Sequence, residues 1–142
     1  MSLFLLFHGM PIMPDPLCPQ LLHHIALPTC DPEAAAKFYV GVVGMQQIDR
    51  PAFSFAGAWL HHVPGNLQVH LIQHASARGQ RGPIDSLAPH FAMVVDDLDA
   101  IEDRLKKHEV PYKRQVNAAG FQQIFFQDPD GNCLEVGIYP ES

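Results

Sequence analysis

The chain of 142 residues predicts an α+β fold: two tandem βαβββ modules that form a curved mixed sheet around a cleft, with the helices on the outer face. Three observations lead there. The run His24-Ile-Ala-Leu-Pro-Thr-Cys-Asp31 returns as His90-Phe-Ala-Met-Val-Val-Asp-Asp97, so that histidine and aspartate both recur at an offset of 66 positions. A fixed internal period marks a repeated structural unit. Each run is followed by helical periodicity and then by short β-prone runs. A single such module covers one face of its sheet with its helix and leaves the other bare, so two copies should combine around the uncovered faces.

The elements follow in order. Leu21 to Leu27 reads as a strand. Asp31-Pro32 supplies a helix N-cap with proline at the first helical position. Ala35, Phe38, Tyr39 and Val42 then recur at helical spacing, which predicts an amphipathic helix ending near Gly41 to Gly44. Met45–Ile48, Phe53–Leu60 and Leu67–Ile72 are β-prone and are divided by Arg50-Pro51 and Pro64-Gly65-Asn66. The stretch from His74 to Ala88, with Gly79, Gly82 and Pro83, has no periodicity and reads as a linker. Phe91 to Val95 is the next strand. Asp97 caps a helix that presents Leu98, Ile101 and Leu105 on one side and places Lys106, Lys107 and His108 in its last turn, where positive charge suits the helix dipole. Tyr112–Val116 and Phe121–Phe126 follow. Asp128-Pro-Asp-Gly131 makes a tight turn into a last strand, Cys133–Tyr139. The chain thus divides into a tail, 1–20, and one domain, 21–139, made of module 21–74, linker 75–88 and module 89–139.

Composition narrows the function classes. A domain of this size buries about two-thirds of its unfolded surface. The net charge of −6 and the absence of a basic stripe argue against nucleic acid. Cys18, Cys30 and Cys133 are odd in number and lack CxxC spacing, which argues against a disulfide framework or thiol zinc site and fits a reducing cytoplasm. The apolar opening Ser2–Phe7 is too short for a membrane span and lacks the positive flank of a signal peptide. Pro11, Pro14, Pro16 and Pro19 set residues 1–20 outside the repeat, and Met10 and Met13 stand as alternative starts.

Alternation along the strands assigns side chains to faces. Ile25 and Leu27 share the helix-packed face, which sends His24 to the opposite one. Phe91, Met93 and Val95 do the same for His90. Leu67, Val69 and Leu71 pack together and turn His70 outward with Gln68 and His74. Leu134, Val136 and Ile138 pack together and leave Glu135 opposite, with Cys133, Gly137 and Tyr139. Three imidazoles and one carboxylate therefore project from the first and last strand of each module toward the uncovered face. Such a set can close around a divalent ion, and a cation would account for a charged side chain on an otherwise apolar strand. By the same parity His23 falls on the wrong face, a rim or packing residue. His61 and His62 approach a turn, His74 ends a strand, and His8 and His108 read as exposed.

These residues resemble the vicinal oxygen chelate superfamily, which includes glyoxalase I, extradiol dioxygenases, fosfomycin-resistance proteins, methylmalonyl-CoA epimerase and bleomycin-binding proteins. The resemblance spans about residues 21 to 139. It is carried by His24-Ile-Ala-Leu with Asp31 and Phe38-Tyr39, by His90-Phe-Ala-Met-Val-Val-Asp-Asp, and by Phe125-Phe-Gln-Asp-Pro-Asp-Gly-Asn-Cys-Leu-Glu135. It implies paired modules forming a metal-lined cleft, commonly in a homodimer, with the ligands of one site drawn from one chain or from two. His24, His90 and Glu135 match the family's metal-ligand positions on the first, fifth and eighth strands. His70 matches the fourth-strand position, where glyoxalase I has a glutamate. The cofactor implied is a divalent ion: Zn, Ni, Co, Fe or Mn. Three neutral imidazoles and one carboxylate leave such a site with a net charge of about +1, a stronger Lewis acid than a two-histidine, two-glutamate site.

The implied activity is glyoxalase-like lyase or isomerase chemistry on a small oxygen-chelating substrate through a metal-stabilised, enolate-like intermediate, with Glu135 or a metal-bound hydroxide as base. Two alternatives stand beside it. An Fe(II) extradiol-type dioxygenase would use His24, His90 and Glu135 as a facial triad, but needs open positions that a ligating His70 would reduce. A metal-free binding protein of the bleomycin-resistance kind would not need four liganding residues. Trp59, Tyr139 and Arg78 are candidates for substrate contact, Arg78 together with Arg81 in the linker. Phe53, Phe55 and Trp59 alternate onto one face, with two of them expected in the core and one near the cleft mouth.

Overall fold

Both modules begin with the same local device, an extended strand broken by an aspartate that caps a helix. The computed structural model describes residues 16–140; residues 1–15 of the tail, with His8, Met10 and Met13, lie outside them. The first strand, β1, spans His24–Thr29. Asp31 Oδ1 accepts from the backbone N–H of Glu33 and Ala34, both at 3.1 Å, and starts α1, Pro32–Phe38. The second module repeats this with β5, His90–Val94, and α2, Leu98–Lys107, where Asp97 Oδ1 accepts from Asp99 and Ala100 at 2.9 and 3.0 Å. In each case the cap satisfies donors that the first helical turn cannot pair internally.

The remaining strands are β2, Gln46–Ile48, β3, Gly57–His62, and β4, Leu67–Gln73, then β6, Tyr112–Val116, β7, Gln122–Gln127, and β8, Cys133–Gly137. They form two four-stranded sheets with matching orders, β1-β4-β3-β2 and β5-β8-β7-β6. The first and last strand of each module are parallel neighbours, with Ala26 opposite His70 and Ala92 opposite Glu135. The parallel pairing places each half of the predicted ligand set on adjacent strands.

Three segments depart from the sequence-based expectation. Helical periodicity through Val42 predicts one α-helix, but the backbone widens into a π turn over Tyr39–Val43 and ends at Gly44, whose φ of 87° suits glycine. The wider turn still buries Tyr39 and Val42. The third strand starts at Gly57 rather than Phe53. Arg50 Nη2 donates to the Phe55 carbonyl at 2.8 Å, and its guanidinium lies over the Phe53 and Phe55 rings, so residues 51–56 form a loop closed on itself. Phe53 and Phe55 are consequently 47% and 43% exposed, not core residues. The last strand ends at Gly137, two residues short of Tyr139. Ile138 is therefore 40% exposed instead of packing with Leu134 and Val136.

One continuous core unites the modules. It contains Leu60, Val69 and Leu71 from one sheet, Ile124, Leu134 and Val136 from the other, and Ala35, Phe38, Leu98 and Leu105 from the two helices. Between the modules, Tyr39 Oη donates to Asp128 Oδ2 at 3.0 Å, with both residues fully buried. Asp130 Oδ1 accepts from the Cys30 N–H, and Asn132 Nδ2 donates to the Pro28 carbonyl. Arg104 donates to the carbonyls of Gly41 and Val42. The Asp128–Gly131 turn thus clamps the two modules together as well as joining β7 to β8. The modules meet through their helix-packed sides and not, as the sequence predicts, around the uncovered faces, because the apolar residues of both sheets and both helices close into one cluster; the opposite faces carry His24, His70, His90 and Glu135 and lie outside this core. Among the described residues no helix is long and apolar enough to cross a membrane.

Candidate functional site

On the bare face of the first sheet, the imidazole of His24 stacks on that of His70 with ring centroids 4.1 Å apart and planes within 12°. Trp59, opposite His70 in the β3–β4 register, stacks on its other side at 4.3 Å and 8°. Gln68 Oε1 accepts from His70 Nε2 at 2.8 Å, so Nδ1 keeps its lone pair. His70 is 8% exposed. Burial, then the nearby His24, His23 and Arg50, pushes its pKa below the ordinary histidine value, and the neutral form is the one that ligates a cation.

The second sheet presents the other pair. His90 Nε2 lies 2.7 Å from Glu135 Oε2, and the glutamate side chain is 5% exposed. His90 Nδ1 is 2.7 Å from the Ala88 carbonyl, a bond in which only the imidazole can donate. That contact spends the Nδ1 proton and directs Nε2 at the carboxylate. A neutral His90 would then face Glu135 lone pair to lone pair, so the close pair calls for a proton or a cation between the two atoms. A backbone carbonyl on the far nitrogen is also how metal-bound histidines are held. The donor set thus fits a divalent ion in chemistry, as two half-sets.

The halves do not meet within one chain. Among the described residues no group of three or more His, Cys, Asp or Glu side chains could hold a metal ion. His24 with His70 and His90 with Glu135 stand on separate sheets, on the faces that the shared core leaves uncovered.

The other candidates fall as follows. Trp59 belongs to the His24–His70 face. Tyr139 reaches Glu135, with its hydroxyl bonded to Oε1. Arg78 lines a cavity with Ser76, Asp85, Asp130 and Asn132 that neither ligand pair shares, and Arg81 donates to the Gln127 carbonyl at 3.0 Å. His61 and His62 bond within the turn to Asn66 and Gly65, and His74 bonds to Ser76.

Two residues of the site escape the sequence reading. His23 lies 2.9 Å from His24, Nδ1 to Nδ1, and edge-on to His70, because β1 begins only at His24 and strand parity does not extend to the residue before it. Gln123 donates to Glu135 Oε1 and, at 3.1 Å, to the Tyr139 hydroxyl. Its signal was present: alternation against Ile124 and Phe126 puts it on the Glu135 face, but an amide carries no liganding signature.

The family model described as "Glyoxalase/Bleomycin resistance protein/Dioxygenase superfamily" matches residues 21–136. "Glyoxylase I 4" of Arabidopsis thaliana is 27% identical over 128 residues, covering 86% of this chain and 72% of that protein. Among solved structures, lactoylglutathione lyase from Agrobacterium tumefaciens aligns with a TM-score of 0.65 at 23% identity, over 84% of this chain and 94% of that one. A mutant of the fosfomycin resistance protein FosX from Listeria monocytogenes, complexed with Mn(II), aligns with a TM-score of 0.72 at 18% identity, over 87% and 95%. At these identities the structural likeness speaks for the fold.

Proposed function

The chain belongs to the glyoxalase/bleomycin resistance protein/dioxygenase superfamily, and on that premise we propose that it is a divalent-metal-dependent lyase or isomerase of the glyoxalase kind, working as a homodimer on a small oxygen-chelating substrate. His24 and His70 of one copy and His90 and Glu135 of a second would hold the ion. The observation that carries this reading is the pairing itself: each bare face offers two ligands at close quarters, and neither is complete. A self-complementary dimer repeats each half-site by symmetry and completes two sites at once. A reducing compartment suits the three free cysteines.

Bound in this set, the ion would supply Lewis-acid polarisation of a substrate carbonyl. The residues of the chain do the rest. Glu135 is the one carboxylate among the four, so both proton transfers fall to it: it takes the proton from the carbon next to the carbonyl and returns it to the neighbouring carbon. The hydroxyl-bearing carbon loses its C–H and O–H bonds, the former carbonyl carbon gains a C–H and an O–H bond as the hydroxyl proton passes from the first oxygen to the second, and the carboxylate ends as it began. Gln123 and Tyr139 keep the carboxylate in place during the exchange. The Trp59–His70–His24 stack favours this reading over a dioxygenase, because it holds His70 beside His24 where a three-ligand iron site would keep an open position.

The test is proton exchange. Protein stripped by a chelator and reloaded with Ni²⁺, Zn²⁺ or Co²⁺ is incubated in D₂O with glutathione hemithioacetals and other α-hydroxycarbonyls, and exchange is followed by NMR. Exchange should require the metal and fall about 10²- to 10⁴-fold in Glu135→Gln. Absence of exchange with all three metals would remove the glyoxalase assignment.

A further inference from the structure

We propose that Gln123, Tyr139 and Gly137 form a positioning device for Glu135, which ties down one carboxylate oxygen and presents the other. The proposal rests on the functional reading above and goes beyond it, since none of the three residues belongs to the ligand set. Glu135 is 4% exposed, and its two oxygens have different surroundings. Oε1 accepts from Gln123 Nε2 and from the Tyr139 hydroxyl. Oε2 has neither donor and faces His90 Nε2 at 2.7 Å. A carboxylate left free to rotate would exchange these roles.

The device is built from the neighbouring strands. Gln123 on β7 stands opposite Gly137 on β8, and its own Oε1 accepts from Gln115 Nε2 at 3.2 Å. That bond fixes the amide so that its nitrogen points to Glu135. Tyr139 follows the end of β8 and folds back over the strand, held edge-on by Phe121 at 5.6 Å. Gly137 makes this possible. A Cβ there would fall 2.5 Å from the ring carbons and 2.6 Å from the hydroxyl oxygen of Tyr139, so any side chain would displace the ring. Glycine in a strand often marks close approach of another group; here, at the end of β8, the group is the tyrosine that reaches the carboxylate. The spacing Glu135-Val-Gly137-Ile-Tyr139 reads as one unit: acid, gap and cover. Tyr139 is thereby a positioning residue for Glu135.

The full chain tests this as wild type, Tyr139→Phe, Gln123→Leu, Gly137→Ala and the double variant Gly137→Ala/Tyr139→Phe, with two readouts. In metal-free protein, the imidazole ¹⁵N resonances of His90 report its contact with Glu135. Each substitution should move them while the resonances of His24 and His70 stay in place. In protein titrated with Co²⁺, visible absorption and competition with a chelator report coordination. Affinity should drop about 10- to 100-fold, the usual cost of removing a partner behind a ligand, and the absorption spectrum should change. Gly137→Ala acts only by displacing Tyr139, so the double variant should be no worse than the worse single one. Unmoved His90 resonances in Tyr139→Phe and Gln123→Leu would overturn the proposal, as would unchanged Co²⁺ affinity. A wild type that binds no Co²⁺ would instead overturn the metal reading, and the His90 resonances would still decide the positioning.

Discussion

Trp59 is the single tryptophan of the chain, and its ring lies flat against His70. It is therefore a built-in reporter for one half of the proposed ligand set. Co²⁺ or Ni²⁺ arriving at His70 should quench most of its emission, and His70→Ala should abolish the quenching. Fluorescence titration beside Co²⁺ absorbance checks this; bound Co²⁺ with unaltered emission would remove His70 from the set. The pairing of His24 with His70 and of His90 with Glu135 on the bare faces is legible in the sequence because two independent regularities agree on it, the repeat and strand alternation. His23 was misplaced because alternation holds only inside the ladder. Tyr139 was put on the Glu135 face by the same rule and does reach that face, although β8 ends before it, because Gly137 lets the ring fold back.

Among the elements, capped helices and alternating strands were the easiest to read, since Asp31 and Asp97 announce their helices by local chemistry alone. Loop 51–56 was the hardest. Phe53 and Phe55 have strand-like spacing, but Arg50 rather than a neighbouring strand satisfies them. A second charged cluster ties α2 to β6: Tyr112 donates to Glu102 Oε1 at 2.6 Å, and Arg114 donates to Glu102 Oε2 and Asp99 Oδ1. The Tyr112 hydrogen bond, aided by Lys106 and Arg114, holds the Glu102 carboxyl below its ordinary value of 4.5. A carboxylate depressed in the folded state adds stability above its unfolded pKa and loses it as the pH falls through the folded one. Urea midpoints of wild type and Glu102→Gln should thus differ by a constant above about pH 5 and converge as the pH drops below about 4. A difference that persists or grows in acid would contradict this.

For the molecule as a whole, face assignment says which residues share a side, but not which sides meet. Both apolar faces could have closed separate cores; instead they share one, and the Asp128–Gly131 turn, legible only as a hairpin, proves to be the clamp between modules. Tyr39→Phe removes the buried hydroxyl that joins them and leaves Asp128 with its bonds from Asn132 and Asp130. It should cost about 1–3 kcal/mol in urea unfolding; no loss would mean the junction rests on apolar packing alone. The same arrangement leaves the faces of His24, His70, His90 and Glu135 outside the shared core, and under the proposed function a second copy would complete the site. The most direct test co-expresses two chains, His24→Ala/His70→Ala and His90→Ala/Glu135→Ala, and measures bound metal. Each variant alone should bind none, whereas the mixture should recover about a quarter of the wild-type metal per chain, because half of the dimers are mixed and each mixed dimer holds one intact site. No recovery in a mixture shown to contain mixed dimers, or full metal binding by either variant alone, would contradict a site shared between two copies.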